Sequence, residues 1–446
     1  MTVRRLAFGL FAIALFVRGA VCFSNLQTYS SDPDAYRAIA DGLDQTGTFG
    51  LVDPDGVARP TAFRPPLYPY LLSWFFRDGI LPLVSVAILH AILGAITVLL
   101  TFWATLRLSS STGRRITRVA ILASLLVLVD PILLQQSRLV MTETLATALS
   151  TLLIGCWAVA IRSNTLRGAA ILGAVMVLAY FCRPTFLAWA GLLCLGWIVF
   201  KIRERNQRAW MQFACTFGIL AACVGAWTIR NVQAVGHPVW ATSHGGYTLL
   251  LANNDSFYTY LREGQWGERW DSVSFERAYL HRFDADPRLA EFWKRDWKGP
   301  SAIERGEVTD VTEIEDDQLA YEAAMATIRR APEMFAWSCV VRVLRLWSPF
   351  PHATDGRPGW INVAVSAWYL VILCCVCVGA IRIYRSPTFA WDRWWSVLTL
   401  LFTLSVVHAV YWSNMRMRAP AIPALSILAA AAFATKKQEA IDVANA

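Results

Sequence analysis

Long apolar runs separated by short polar breaks dominate this chain. They occupy residues 6–23, 80–106, 116–134, 139–161, 168–181, 185–200, 210–229, 361–380, 394–412 and 419–435. As helices rising 1.5 Å per residue, most would cross the roughly 30 Å hydrocarbon core of a bilayer. The runs at 168–181 and 185–200 are short, which predicts helices that tilt or end near a cavity. The pattern predicts an all-α polytopic membrane protein with about ten transmembrane helices. Two long polar stretches, 24–79 and 232–359, interrupt it and divide the chain into an N-terminal membrane core (1–231), a loop region (232–359) and C-terminal helices (360–446). Within the first stretch, 34–45 reads as a short helix carrying Ile39, Ala40 and Leu43, and 66–76 is aromatic and amphipathic, suited to the headgroup layer. The second stretch ends in 332–349, where Met334, Phe335, Trp337, Leu344 and Trp347 mix with Arg342 and Arg345. That segment reads as an interfacial helix, because an eleventh span there would invert the two helices that follow.

Composition agrees with this class. Of 446 residues, 56% are hydrophobic and the mean hydropathy is +0.42, against about 45–50% apolar in ordinary soluble domains. The net charge of +9 is informative mainly through its distribution. Of the 32 acids, 17 lie between Asp255 and Glu322 and seven between Asp32 and Asp78, while basic residues cluster in the short breaks. This is a topology signature, and it argues against a nucleic-acid partner. With Arg4 and Arg5 placing the N-terminus inside, alternation puts Arg107/Arg114/Arg115/Arg118, Arg162/Arg167, Lys201/Arg203/Arg205/Arg208, Arg382/Arg385/Arg393 and Lys436/Lys437 on the same side. Both termini are therefore expected in the cytoplasm of a cell with the chain in its plasma (inner) membrane, and both long stretches outside. The start, M-T-V-R-R before an apolar run without an A-x-A site, reads as a retained signal anchor. The ten cysteines lie in apolar or amphipathic segments, so they read as small buried hydrophobes.

The residues that break the pattern carry the candidate chemistry. Arg64, Arg183, Arg230, Arg416 and Arg418 lie at outer helix ends or in the first outer stretch, where positive charge is disfavoured. Singly, each could snorkel to a lipid phosphate. Together they suit bidentate capture of a phosphate or pyrophosphate. Glu143, in L-V-M-T-E-T-L, lies just inside a predicted span, where a carboxylate is costly and faces a cavity or a partner; Asp130, before Pro131, ends the preceding one. His90 and His408 read as hydrogen-bonded core residues, and no H-x-x-H or acid–His spacing suggests a metal site. Asp32 and Asp34 stand in S-D-P-D-A-Y-R-A-I-A-D-G-L, followed by P-T-A-F-R-P-P-L-Y-P. Acids near a membrane surface, with an arginine in a stiff proline-rich turn, suit chemistry on a lipid-linked phosphate.

These motifs resemble the GT-C superfamily of polytopic glycosyltransferases. The similarity is to the branch of protein mannosyltransferases and lipid A aminoarabinose transferases, with their bacterial family-39-like relatives. It rests on the two first-stretch segments just quoted, on S-R-L-V-M-T-E-T-L, on W-T-I-R-N-V-Q-A-V-G-H-P-V with G-G-Y-T-L-L-L-A-N-N, and on R-M-R-A-P-A-I-P. The resemblance implies transfer of a sugar from a polyprenyl-phosphate donor to an acceptor hydroxyl on a glycolipid, glycan or protein, outside the membrane and with inversion. It implies a first-loop acid as base, Asp32 by its position relative to Tyr36 with Asp34 competing, assisted by Glu143. It implies Tyr36, Arg64, Tyr68, Arg183, Arg230, Arg416 and Arg418 as substrate-binding residues. No cofactor is expected, and the motifs leave a divalent-cation requirement open. The Asp-Pro-Asp arrangement departs from the family's commoner adjacent pair, and the later part of the chain is shorter than in the lipid A enzymes. The alternative is a non-catalytic transporter or binding component for lipid-linked sugars, which predicts inverted repeats and helices broken at the midplane; the sequence shows neither.

Overall fold

The computed structural model describes the chain apart from residues 1–2, 54, 78, 110–112, 202–206, 265–269, 309, 352–357, 388 and 435–446. Arg203, Arg205, Lys436 and Lys437 of the basic clusters thus lie outside the described residues. Every predicted apolar run is helical. The first is α1 (Val3–Phe23), followed in the first outer stretch by α2 (Tyr36–Thr46), the antiparallel strands β1 (Gly50–Val52) and β2 (Ala58–Pro60), and α3 (Leu67–Ser73). The hairpin was not anticipated; its turn places Gly56 at φ 77°, a backbone glycine adopts without strain.

The bundle continues with α4 (Leu83–Leu108), α5 (Arg114–Leu128), α6 (Pro131–Gln136), α7 (Glu143–Ala160), α8 (Leu166–Cys182), α9 (Thr185–Phe200) and α10 (Gln207–Val235). The predicted run 116–134 is broken in two. Asp130 Oδ1 accepts from the Leu133 amide at 3.0 Å and Pro131 stands at the first helical position, so a new helix starts where Asp130 was read as ending the span. The next run likewise begins its helix at Glu143, four residues later than the hydrophobicity does. After the second polar stretch come α17 (Gly359–Tyr384), α18 (Trp391–Val410) and α19 (Ile422–Ala431), the last entered through a 3₁₀ turn over Met415–Ala421. Among the described residues, six helices, α1, α4, α7, α10, α17 and α18, are long and apolar enough to cross a membrane, and α8 and α9 are shorter apolar helices, as their runs predict. The chain is an all-α polytopic membrane protein.

α4 lies at the centre, packing against α1, α5 and α7, while α17 packs on α19. That last approach needs Gly379: a Cβ there would stand 1.8 Å from the Leu428 carbonyl oxygen. α7 is buried along nearly its whole length, which explains why its polar positions face protein and not lipid.

The second stretch folds into α11 (Gly245–Ala252), α12 (Asp255–Glu263), α13 (Val273–Leu280), α14 (Ala290–Lys294), α15 (Glu313–Arg330) and α16 (Pro332–Trp347). Its core is aromatic: Phe257, Trp270, Phe275 and Trp293 cluster, and Trp412 from the end of α18 stacks edge-on at 5.6 Å from Phe257. The expected helix at 332–349 is α16, which packs on α18 and buries Arg342 against the carbonyls of Ala252 and Ala409 (2.6 and 2.7 Å). α15 starts on a capping box, Thr312 with Glu315. The preceding turn of that helix reaches the first outer stretch: Glu313 accepts from the Thr61 hydroxyl (2.5 Å) and the Ala62 amide (2.7 Å).

A half-buried acid tunes this loop region. The Asp317 carboxylate accepts from the Gly246 amide at 2.6 Å, and burial pushes its pKa up to about 6. A folded-state pKa above the unfolded value gives stability that is complete at low pH and is lost as pH rises through about 6. The loop region of the wild type is therefore expected to unfold at progressively lower temperature from pH 4 to pH 7. Asp317→Asn, which cannot ionise, is expected to flatten that slope; equal slopes in both proteins would remove Asp317 as the cause.

Candidate active site

Asp32 and Asp34 are two residues apart in sequence but have different surroundings. Just after them Ala35 adopts φ 57°, ψ 21°, the only positive φ at a non-glycine among the described residues. Asp32 Oδ2 accepts from the Ala38 amide at 2.9 Å, while its Oδ1 is buried with no hydrogen-bond partner. Asp34 Oδ1 pairs with Arg64 Nη2 at 3.0 Å, and Arg64 Nε donates to the Asp34 carbonyl at 2.7 Å. One acid is neutralised by an arginine; the other keeps a free, desolvated acceptor atom. Backbone strain of this kind at an alanine is worth about 1 kcal/mol. Ala35→Gly should therefore raise the unfolding free energy by up to about that amount in a denaturant titration, and a loss of stability would refute the strain.

The second group forms around Glu143, the first residue of α7, whose helix N-terminus favours a negative charge. Its carboxylate is 1% exposed, 2.9 Å from Arg183 Nη2 and 3.8 Å from Arg416 Nε. Arg183 Nε also donates to the Thr142 hydroxyl at 3.0 Å. Arg416 is set by the 3₁₀ turn before α19, where the Asn414 side chain accepts from its amide at 3.1 Å. Arg416 Nε and Arg138 Nε are both buried without a hydrogen-bond partner.

Two tyrosines join these groups. Tyr36 and Tyr68 meet edge-on with centroids 5.3 Å apart. Tyr36, its pKa pushed up to about 12 by burial, hydrogen-bonds Thr142 and lies in the fields of Arg64, Asp34 and Arg183. Tyr68 is held well above the usual phenol range by burial, and the charges of Tyr36, Asp32 and Glu143 all add to that rise. The first-stretch acids and the Glu143 cluster therefore face one tyrosine wall. Behind it the Tyr68 hydroxyl lies 2.7 Å from His90 Nε2, and His90 Nδ1 lies 3.0 Å from the Ser137 carbonyl. A carbonyl only accepts, so Nδ1 carries the proton and Tyr68 donates to Nε2. His90 is thus a hydrogen-bonded core residue, as expected, and His408, bonded through Nδ1 to the Trp412 carbonyl at 3.1 Å, is another.

Two of the arginines singled out in the sequence lie apart from this centre. Arg230 donates to the carbonyls of Thr61 and Phe49 (2.7 and 2.8 Å), fastening α10 to the first outer stretch. Arg418 is 1% exposed, bonds the carbonyls of Leu346 and Ser348, and stacks 4.1 Å from the Tyr369 ring, whose hydroxyl bonds Asp130. Sequence reasoning missed Arg18, Arg138 and His244. Arg18, 1% exposed inside α1, donates to the Ser137 hydroxyl (3.1 Å) and the Val127 carbonyl (2.8 Å), and it passes Gly94 so closely that a Cβ there would meet its Cδ at 2.9 Å. Its signal was a charge within an apolar run. Arg138 stood inside S-R-L-V-M-T-E-T-L. His244 gave no signal: burial and the charge of Arg64 push its pKa down to about 3, so it is a neutral ring packed edge-on to Phe63. Among the described residues, no group of three or more His, Cys, Asp or Glu side chains could hold a metal ion.

This architecture has solved counterparts. The apo oligosaccharyltransferase of Archaeoglobus fulgidus superposes with a TM-score of 0.53 at 14% identity, covering 96% of this chain and 50% of that one. The chain shares the fold of that membrane enzyme. The same archaeal enzyme in complex with an inhibitory peptide and a dolichol-phosphate gives a TM-score of 0.50 at 14% identity, over 96% of this chain and 50% of that one. ArnT of Cupriavidus metallidurans bound to undecaprenyl phosphate gives 0.41 at 14% identity, over 100% of this chain and 80% of that one. The chain thus spans about half the length of the oligosaccharyltransferase whose fold it shares. No protein-family model and no curated protein matches the sequence.

Proposed function

We propose that the chain transfers a sugar from a polyprenyl-phosphate donor to an acceptor hydroxyl at the outer face of the plasma (inner) membrane, with both termini in the cytoplasm. The observation that carries this reading is the buried, unpartnered Oδ1 of Asp32, across a tyrosine wall from the Glu143–Arg183–Arg416 cluster. An acid with a free lone pair can act as a base; one locked to an arginine cannot do so without breaking the pair. Asp32 is therefore the base and Asp34 the residue that holds Arg64. Asp32 takes the proton as the acceptor oxygen bonds to the anomeric carbon. The bond from that carbon to the phosphate oxygen breaks, and the polyprenyl phosphate leaves with the electron pair. One displacement inverts the anomeric centre. Arg416 and Arg138, whose Nε atoms make no hydrogen bond within the chain, are the donors for that phosphate. Glu143, clamped between guanidinium groups, positions arginines and takes no proton. That the archaeal enzyme sharing this fold has been captured with a dolichol-phosphate supports a lipid-phosphate carrier here.

The test is release of polyprenyl phosphate from synthetic polyprenyl-phosphate sugars by the purified chain, followed by mass spectrometry. Arg416→Ala is expected to lower donor use by about ten- to a hundredfold, the effect of losing one charge-assisted contact of roughly 1.5–3 kcal/mol. No release from any donor in a panel of hexoses and pentoses would overturn the proposal. Unchanged donor kinetics in Arg416→Ala would remove that arginine from the phosphate site.

A further inference from the structure

Residues 137–142 connect α6 to α7, running from Ser137 and Arg138 to Thr142, which holds Arg183. At the start of this connection one backbone carbonyl collects several donors. The Ser137 carbonyl accepts from the Tyr29 hydroxyl at 2.7 Å and from His90 Nδ1 at 3.0 Å, and the Cys22 thiol lies 3.5 Å from it. The Ser137 hydroxyl accepts from Arg18 Nη1 at 3.1 Å and donates to the Leu133 carbonyl at 2.7 Å. Arg18 and Cys22 come from α1, Tyr29 from the 3₁₀ turn over Leu26–Ser30 and His90 from α4, and all four are buried. His90 Nε2 in turn accepts from Tyr68, so one ring ties the tyrosine wall to this carbonyl.

A buried carbonyl at a helix end is satisfied by a single donor. Here Tyr29 and His90 approach from separate elements and occupy both lone pairs, which fixes the direction of the C=O bond. The peptide is planar, so that direction also fixes the nitrogen and Cα of the next residue, Arg138. Arg138 is half-buried, and its Nε makes no hydrogen bond among the described residues. Its side chain has several rotatable bonds, so a firmly held backbone narrows where the guanidinium can meet a ligand. We propose that Tyr29 and His90 are positioning residues for the lipid phosphate, holding the Ser137–Arg138 peptide so that Arg138 is pre-set to receive it. The inference rests on the proposed assignment of Arg138 as a phosphate donor. Neither Tyr29 nor His90 touches the phosphate; both act through the peptide. A tie that only supported the fold would cost stability alone. A positioning tie costs phosphate affinity, and only while Arg138 is present.

The experiment measures binding of polyprenyl phosphate, the product of the proposed reaction, to the purified full chain in detergent, with thermal unfolding recorded on the same samples. Tyr29→Phe keeps the buried ring and removes its bond to Ser137, while His90 still satisfies the carbonyl, so the protein should fold. Its affinity for polyprenyl phosphate should fall about three- to tenfold, the scale of one hydrogen bond. In an Arg138→Ala background the same substitution should change affinity by less than about twofold, because the group it positions is gone. His90 gives an independent arm. In His90→Asn the amide nitrogen stands near the place of Nδ1 and keeps the bond to Ser137. In His90→Gln the amide reaches the place of Nε2 and keeps Tyr68 instead. Affinity should stay near the wild-type value in His90→Asn and fall about three- to tenfold in His90→Gln. Additive effects of Tyr29→Phe and Arg138→Ala would overturn the positioning role. So would equal affinity in His90→Asn and His90→Gln, or lower unfolding temperatures with affinity unchanged. A wild type that binds no polyprenyl phosphate would instead overturn the proposed reaction, and this inference with it.

Discussion

Asp32→Asn is expected to reduce turnover by at least roughly a hundredfold, the low end for removal of a general base. The substitution keeps the side chain's size, and the amide oxygen can still accept from the Ala38 amide as Oδ2 now does at 2.9 Å. What disappears is the proton acceptor at the buried, unpartnered Oδ1. The defect should therefore fall on turnover and leave donor binding close to the wild-type value. Asp34→Asn should behave differently. It releases Arg64, whose Nη2 now pairs with Asp34 at 3.0 Å, so its loss should be smaller and should include weaker substrate binding. Both variants should be compared on purified protein, with donor affinity and single-turnover rate measured separately. Full activity in Asp32→Asn would overturn the assigned base while leaving the fold untouched.

Glu143→Gln should have the largest effect on stability. Removing one partner of a buried ion pair costs about 3–5 kcal/mol, because the remaining charge is left without compensation. Here the carboxylate is 1% exposed, whereas the arginine side chains are 17% exposed at Arg183 and 34% at Arg416. Water can reach the arginines in part, which places the expected loss near the lower end, about 3 kcal/mol. Chemical unfolding of the purified protein would measure it. A loss below about 1 kcal/mol, the scale of an exposed ion pair, would show that Glu143 does not hold the cluster together. Glu143→Asp should recover only part of the loss, since the shorter side chain keeps the charge but retreats from Arg183.

Much of the architecture was legible in order and type. Every apolar run became a helix, because burial of a continuous apolar surface in a membrane leaves the backbone only its own hydrogen bonds. The short runs became the short helices α8 and α9. Asp130 before Pro131 marked the break in the third run, and its cap on Leu133 starts a new helix there. The β1–β2 hairpin was missed because three-residue strands carry too little periodicity to read.

The candidate site divides in the same way. Sequence alone determined which residue types were out of place: carboxylates and arginines at the ends of apolar helices, which a membrane does not tolerate without a reason. It could not decide which of them meet. Asp32 and Asp34 became unequal only through the approach of Arg64 from the proline-rich segment to Asp34, which leaves Asp32 on the Ala38 amide. Arg183 and Arg416 converge on Glu143, while Arg230 and Arg418 bond backbone carbonyls elsewhere, although all four look alike in the sequence. The physical reason is range: the hydrophobic pattern is a local property that fixes each helix and its depth. A shared polar site is set by which helix ends pack together, and that depends on contacts between residues far apart in the chain.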